Sequence, residues 1–106
     1  MPRQARRLAQ TALSATAAAV YTAPASTTAQ ITEVYFANTG TTARTLTLYV
    51  NGTATTNTIV VGLAVAGTAT QILSESKIVI PPSTIFAAKQ DTGTDIICTV
   101  FGIEEV

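Results

Sequence analysis

From about Tyr21 to Val106 the chain is a run of short, threonine-rich segments separated by turn residues, and this constrains its fold more than any other feature. Branched side chains suit a pleated, half-buried surface and lose rotamer freedom in a helix. The turn residues recur at the spacing of a β-sandwich. The reading is all-β.

Val20-Tyr21-Thr22 is a short extended piece closed by Pro24, which biases Ala23 away from helix. Gln30 to Ala37 reads as a strand with Ile31, Tyr35 and Ala37 on one face and Val34 and Phe36 on the other. Asn38-Thr39-Gly40 then supplies a turn. Arg44 to Val50 alternates cleanly, with Leu46, Leu48 and Val50 opposite Thr45, Thr47 and Tyr49. Asn51-Gly52 follows as a hairpin signal, because both residues tolerate positive φ. Residues 58–65 are either an edge strand and a loop or one bulged strand, since Gly62 interrupts them. Gln71 to Ser74 and Lys77 to Ile80 look extended, and Thr84 to Lys89 sets Ile85, Ala87 and Lys89 opposite Phe86 and Ala88. The last strand, Asp95 to Ile103, is apolar on both faces and is therefore expected at the centre of a sheet. The sum is an antiparallel sandwich or jelly roll of about seven or eight strands.

Residues 1–19 stand apart as an arm on a domain formed by residues 20–106. The arm is expected to be extended or partly helical, since alanine and leucine over residues 4–19 permit a helix. Arg3, Arg6 and Arg7 precede Leu8 as in a targeting signal, but Gln10, Thr11, Ser14 and Thr16 interrupt the apolar stretch that a secretory signal needs. The stretch is also too short and polar to span a membrane. The three arginines, with Leu8, are candidates to grip carboxylates or carbonyls of a neighbouring subunit. On that reading the arm is dispensable for the fold.

Composition excludes much chemistry. Histidine is absent, which removes the commonest general base and metal ligand. The serines and threonines lack both a histidine and a nucleophile elbow to activate them. No glycine-rich run leads into a helix, so no phosphate loop is expected. Glu33 and Glu75 have no local sequence support as an acid/base pair, and Glu33 reads as a solvated strand position. Asp91 and Asp95 flank a turn where a hard cation would find oxygen ligands, yet turn-forming aspartates beside Gly93 explain them as well. Cys98 is the only cysteine and lies in an apolar run, as a buried, inert thiol would. No enzymatic activity, cofactor or metal is expected, nor a small-molecule ligand.

Charged residues make up 11% of the chain and sum to zero formal charge. A neutral, sparsely charged surface steers partners weakly and favours association. It does not suit duplex binding, which calls for a basic face. Single-strand binding needs aromatics interleaved with basic residues, and Tyr21, Tyr35 and Tyr49 are not so placed.

Two stretches carry a resemblance. The first is Val20-Tyr21-Thr22-Ala23-Pro24, Thr27-Thr28-Ala29-Gln30-Ile31-Thr32-Glu33-Val34, Asn38-Thr39-Gly40 and Thr45-Leu46-Thr47-Leu48-Tyr49-Val50. The second is Ile80-Pro81-Pro82-Ser83-Thr84-Ile85-Phe86-Ala87-Ala88 with Val100-Phe101-Gly102-Ile103-Glu104. Together they resemble the small virion proteins of tailed bacteriophages, in which a proline-containing turn precedes a strand and the last strand ends in a glycine-containing Gly-Ile-Glu or Gly-Val-Glu. The resemblance covers strands and turns over residues 20–105, not a catalytic signature. It implies an oligomeric, often trimeric β-sandwich in the virion, assembled in the host cytoplasm. Its partners would be the major capsid protein, other virion proteins or further copies of itself. Head decoration (cement) is the expected role, with the tail, collar or baseplate as the alternative. A carbohydrate-binding, lectin-like module is the rival of another class, with Tyr49 as its candidate stacking residue.

Overall fold

The computed structural model describes residues 3–74 and 78–106. Their strands are β1 (Arg3–Ala12), β2 (Ala18–Thr22), β3 (Thr28–Asn38), β4 (Arg44–Val50), β5 (Thr58–Val65), β6 (Thr70–Leu73), β7 (Ile78–Ile80), β8 (Ile85–Gln90) and β9 (Ile96–Glu105). The only helical turn among the described residues is a 3-10 turn, Thr55–Asn57, between β4 and β5. One sheet runs β1-β9-β3-β6, with β7 on the same side of β3 as β6; the other runs β2-β8-β4-β5. Every pairing is antiparallel.

If β6 and β7 are counted as two parts of one interrupted strand, eight strands pair first with last, second with seventh, third with sixth and fourth with fifth. That is a long hairpin rolled up into two facing sheets, the connectivity of a jelly roll. The expected all-β sandwich is present. The core lies between the sheets, with Phe36, Ile31 and Ile96 from one meeting Phe86, Leu46 and Leu48 from the other, all fully buried. At about 25 cal/mol per Å² of apolar surface, each such side chain contributes roughly 1.5–3 kcal/mol.

The first residues differ from expectation. Residues 3–12 are not an appendage but the first strand of the roll, paired with β9 from Arg3↔Glu105 to Ala12↔Ile97. The expected boundary at residue 19/20 falls inside β2. A helix does not form because β9 would otherwise present an unpaired row of backbone groups, and β1 satisfies them. The alternation was hidden because almost all of β1 is exposed and a bulge between Arg7 and Ala9 breaks its period. Leu8 is the extra residue, and it packs against the core.

A second bulge, between Ile31 and Glu33, interrupts β3 beside the same stretch of β9. It corrects the expected facing of this strand. The inserted residue, Thr32, puts Ile31 on the buried face with Val34 and Phe36, while Tyr35 stays on the other. The β3 bulge lies against Gly102 and Phe101, and the β1 bulge against Phe101 and Val100.

The middle of the chain resolves into one bulged edge strand. β5 shifts register twice against β4, leaving Gly62 and Ile59 as the inserted residues. Asn51 and Gly52 do take positive φ, 63° and 141°. They open a longer loop instead of forming the whole turn. Asn57 closes that loop, accepting from the Ala54 amide at 3.1 Å and donating to the Asn51 carbonyl at 3.3 Å.

Candidate functional site

Three groups of side chains carry the polar chemistry, and a fourth feature is apolar. At one end of the seam between the sheets, core-facing Glu104 on β9 accepts from Arg6 at 3.1 Å and from the Tyr21 phenol of β2. The Glu104 side chain is only 14% exposed. Burial, and then the hydrogen bond to Glu104, raise the Tyr21 phenol well above its ordinary pKa. Arg3 pairs with Glu105 at 3.5 Å on the surface. Arg3 and Arg6 thus bind carboxylates of their own chain, where a neighbouring subunit was expected. Arg7 donates to Gln10 at 3.3 Å and has no ion-pair partner among the described residues.

At the end formed by the 91–95 loop, Asp95 accepts from Arg44 at 3.1 Å. This hydrogen bond holds its carboxyl below the usual carboxylate value. Fully buried Gln90 accepts from the Ile96 amide at 3.0 Å, and its amide group donates to the Thr92 carbonyl. Asp91 caps the Thr92 amide at 3.0 Å. The two aspartates are therefore occupied by a guanidinium and by the turn. No group of three or more metal-ligating side chains occurs among the described residues.

The third group is small. Asn38, buried beneath the 39–43 loop, donates to the Thr42 carbonyl at 2.8 Å and the Val65 carbonyl at 3.3 Å. It ties this loop to the end of β5. Buried amide side chains thus fasten both loops to the ends of neighbouring strands.

Two further expectations can be placed. Tyr49 lies on the face of β4 opposite Leu46 and Leu48, but it is only 6% exposed. It offers no platform for a sugar ring. Cys98 is fully buried, and burial pushes its thiol up to about 12.

The apolar feature is the outer face of the β1-β9-β3-β6 sheet. Phe101 is 37% exposed and stacks edge-on against Tyr35, with ring centroids 5.6 Å apart. Ile72 and Val79 flank them, 45% and 54% exposed. Partly buried Ile97 and Ile103 share the face, since they alternate with core-facing Ile96, Cys98 and Val100. The run that is apolar on both sides does sit inside its sheet, but only one of its faces is covered. That second apolar face was the signal for this surface, and it is equally what a strand buried on both faces would show. A separate apolar strip lies on the free edge of the other sheet, where β5 exposes Ile59 and, at 77%, Val61.

Neither the models of known protein families nor the curated proteins give a match to this chain. No helix among the described residues is long and apolar enough to cross a membrane.

Proposed function

We propose that the protein is a non-enzymatic structural component of a tailed-bacteriophage virion, and that its role is to decorate and stabilise the assembled head. The observation that carries the assembly role is the pair of uncovered apolar surfaces, the outer face around Phe101 and the β5 edge around Val61. Contiguous apolar surface on a small domain marks a site that another protein covers. Two such surfaces on different sheets suit a building block with neighbours on two sides.

The virion assignment comes from the resemblance of strands and turns over residues 20–105. The jelly roll supports it by analogy alone, because viral capsid proteins and lectins both use this connectivity. The lectin reading loses its candidate residue with the burial of Tyr49. Mechanism is then mechanical. Loops fastened by buried amides and a paired first strand leave little to be ordered on docking, so little ordering entropy opposes it. Copies that bind only the assembled particle shift the equilibrium toward it by mass action.

Immunogold electron microscopy on purified particles of the encoding phage tests the proposal. Gold spread over the heads supports decoration. Gold confined to one vertex or to the tail moves the protein to the collar, tail or baseplate. Unlabelled particles overturn the virion reading.

A further inference from the structure

We infer that the outer face of the β1-β9-β3-β6 sheet is covered by a second copy of this chain, packed face to face about a two-fold axis that runs parallel to β9 through Phe101. This rests on the reading of that face as a docking surface and names its occupant.

The argument begins with one row across the sheet. The register sets Arg7 of β1 beside Phe101 of β9, and Phe101 beside Glu33 of β3. All three project outward, because the next pairs in line, Ala9↔Val100 and Val34↔Val100, turn toward the core. Arg7 and Glu33 therefore flank the most prominent ring of the face, about 10 Å apart across two strand spacings. Neither has an ion-pair partner among the described residues, in contrast to Arg3, Arg6 and Arg44.

A two-fold axis along β9 maps the β1 side of one copy onto the β3 side of the other. Arg7 then faces the partner's Glu33, Glu33 faces the partner's Arg7, and the two Phe101 rings meet at the axis. The face is its own complement in charge, as a two-fold interface must be. Facing sheets pack about 10 Å apart, a gap that an arginine and a glutamate span end to end. The strands β1, β9 and β3 are 10, 10 and 11 residues long. These three strands, with the shorter β6 and β7 beside β3, cover roughly 600 Å² in projection, and projecting side chains bring the accessible area to the ~800 Å² per partner of a standard interface. The β5 edge is the weaker candidate for self-pairing, because its two bulges disrupt the row of backbone groups that a second strand needs. It remains available for a different neighbour.

Charge exchange tests this. The mass of the full chain is measured by sedimentation equilibrium for wild type, Arg7→Glu, Glu33→Arg and the double variant, with circular dichroism as a control for folding. Wild type should be a dimer at about 100 µM. Each single exchange places like charges opposite one another and should weaken the dimer about tenfold or more, while the double exchange should restore it. Phe101→Ser, at an exposed position, should give a folded monomer. A wild-type monomer or trimer overturns the inference, as does a dimer indifferent to the single exchanges or one that the double exchange fails to restore. Because these masses are measured on isolated protein, their failure leaves the particle labelling free to stand or fall by itself.

Discussion

Tyr21 and Glu104 join the two sheets of the sandwich: the phenol of β2 donates to a carboxylate of β9 that also holds Arg6. The contact closes the seam between the first and last strands of the roll and the facing sheet. Removing the hydroxyl with Tyr21→Phe leaves the ring packed and Glu104 still paired with Arg6. Urea denaturation should show a loss of about 1.5–3 kcal/mol, the range for a hydrogen bond to a charged group. A change below about 0.5 kcal/mol would mean that the arginine alone satisfies the carboxylate.

Gly102 lies against the backbone of β3 and against Leu8, the residue inserted in β1. A Cβ there would meet the Gln30 carbonyl oxygen and lie 2.9 Å from Leu8 Cδ1. The leucine can move, but the carbonyl belongs to the backbone of β3. Gly102→Ala should cost about 2–3 kcal/mol or more, and adding Leu8→Ala should not recover it. Recovery in the double variant would show that Leu8 was the obstacle.

Deleting residues 1–12 tests the revised role of the first segment. As an arm it would be dispensable; as β1 it covers one whole side of β9. The truncated chain should lose its cooperative thermal transition or aggregate, since a central strand becomes a long exposed edge. A soluble, cooperatively folding truncation with unchanged Tm would restore the arm reading.

The Arg44–Asp95 pair sets one part of the acid sensitivity. The hydrogen bond from Arg44 depresses the Asp95 carboxyl below 3.8. A carboxyl with a depressed folded-state pKa contributes stability that is present above its unfolded value and is lost as pH falls through the folded one. Asp95→Asn should therefore lower Tm most at neutral pH, and the gap to wild type should narrow as pH falls below the ordinary aspartate value. A gap that stays constant into acid would show that the pair contributes nothing as an ion pair.

Thiol labelling gives a further check on the core. Cys98 is fully buried with its thiol pushed up to about 12, so a maleimide should react only through unfolding. Labelling of native protein should be about a thousandfold slower than in guanidinium, or slower still. Comparable rates would place Cys98 in a region that opens locally.

The strand-length threonine-rich segments and their turns were legible from local chemistry, because alternation and positive-φ residues act within a few positions of the chain. Leu46 and Leu48, Phe86 and Ala88, and the positive φ of Asn51 and Gly52 needed no distant partner to be placed, whereas the length of the loop they open did not show. The facing of Ile31 did, because a bulge is decided by the neighbouring strand rather than by the strand that contains it. The same holds for Arg3 and Arg6, whose carboxylate partners lie about a hundred positions away at the other end of the chain. Tyr49 alternates outward as its sequence implies, yet its 6% exposure comes from neighbours that alternation cannot see.

What the sequence by itself determined, then, is the kind of structure: short β-strands, no histidine chemistry and little charge. What only the tertiary structure decided is which edges are closed and which faces stay open. Backbone hydrogen bonding drew residues 3–12 into the sheet as a partner for β9, and the roll has no layer left to cover the apolar outer face around Phe101. Strand formation is a local preference, whereas pairing and covering depend on what the rest of the chain brings alongside.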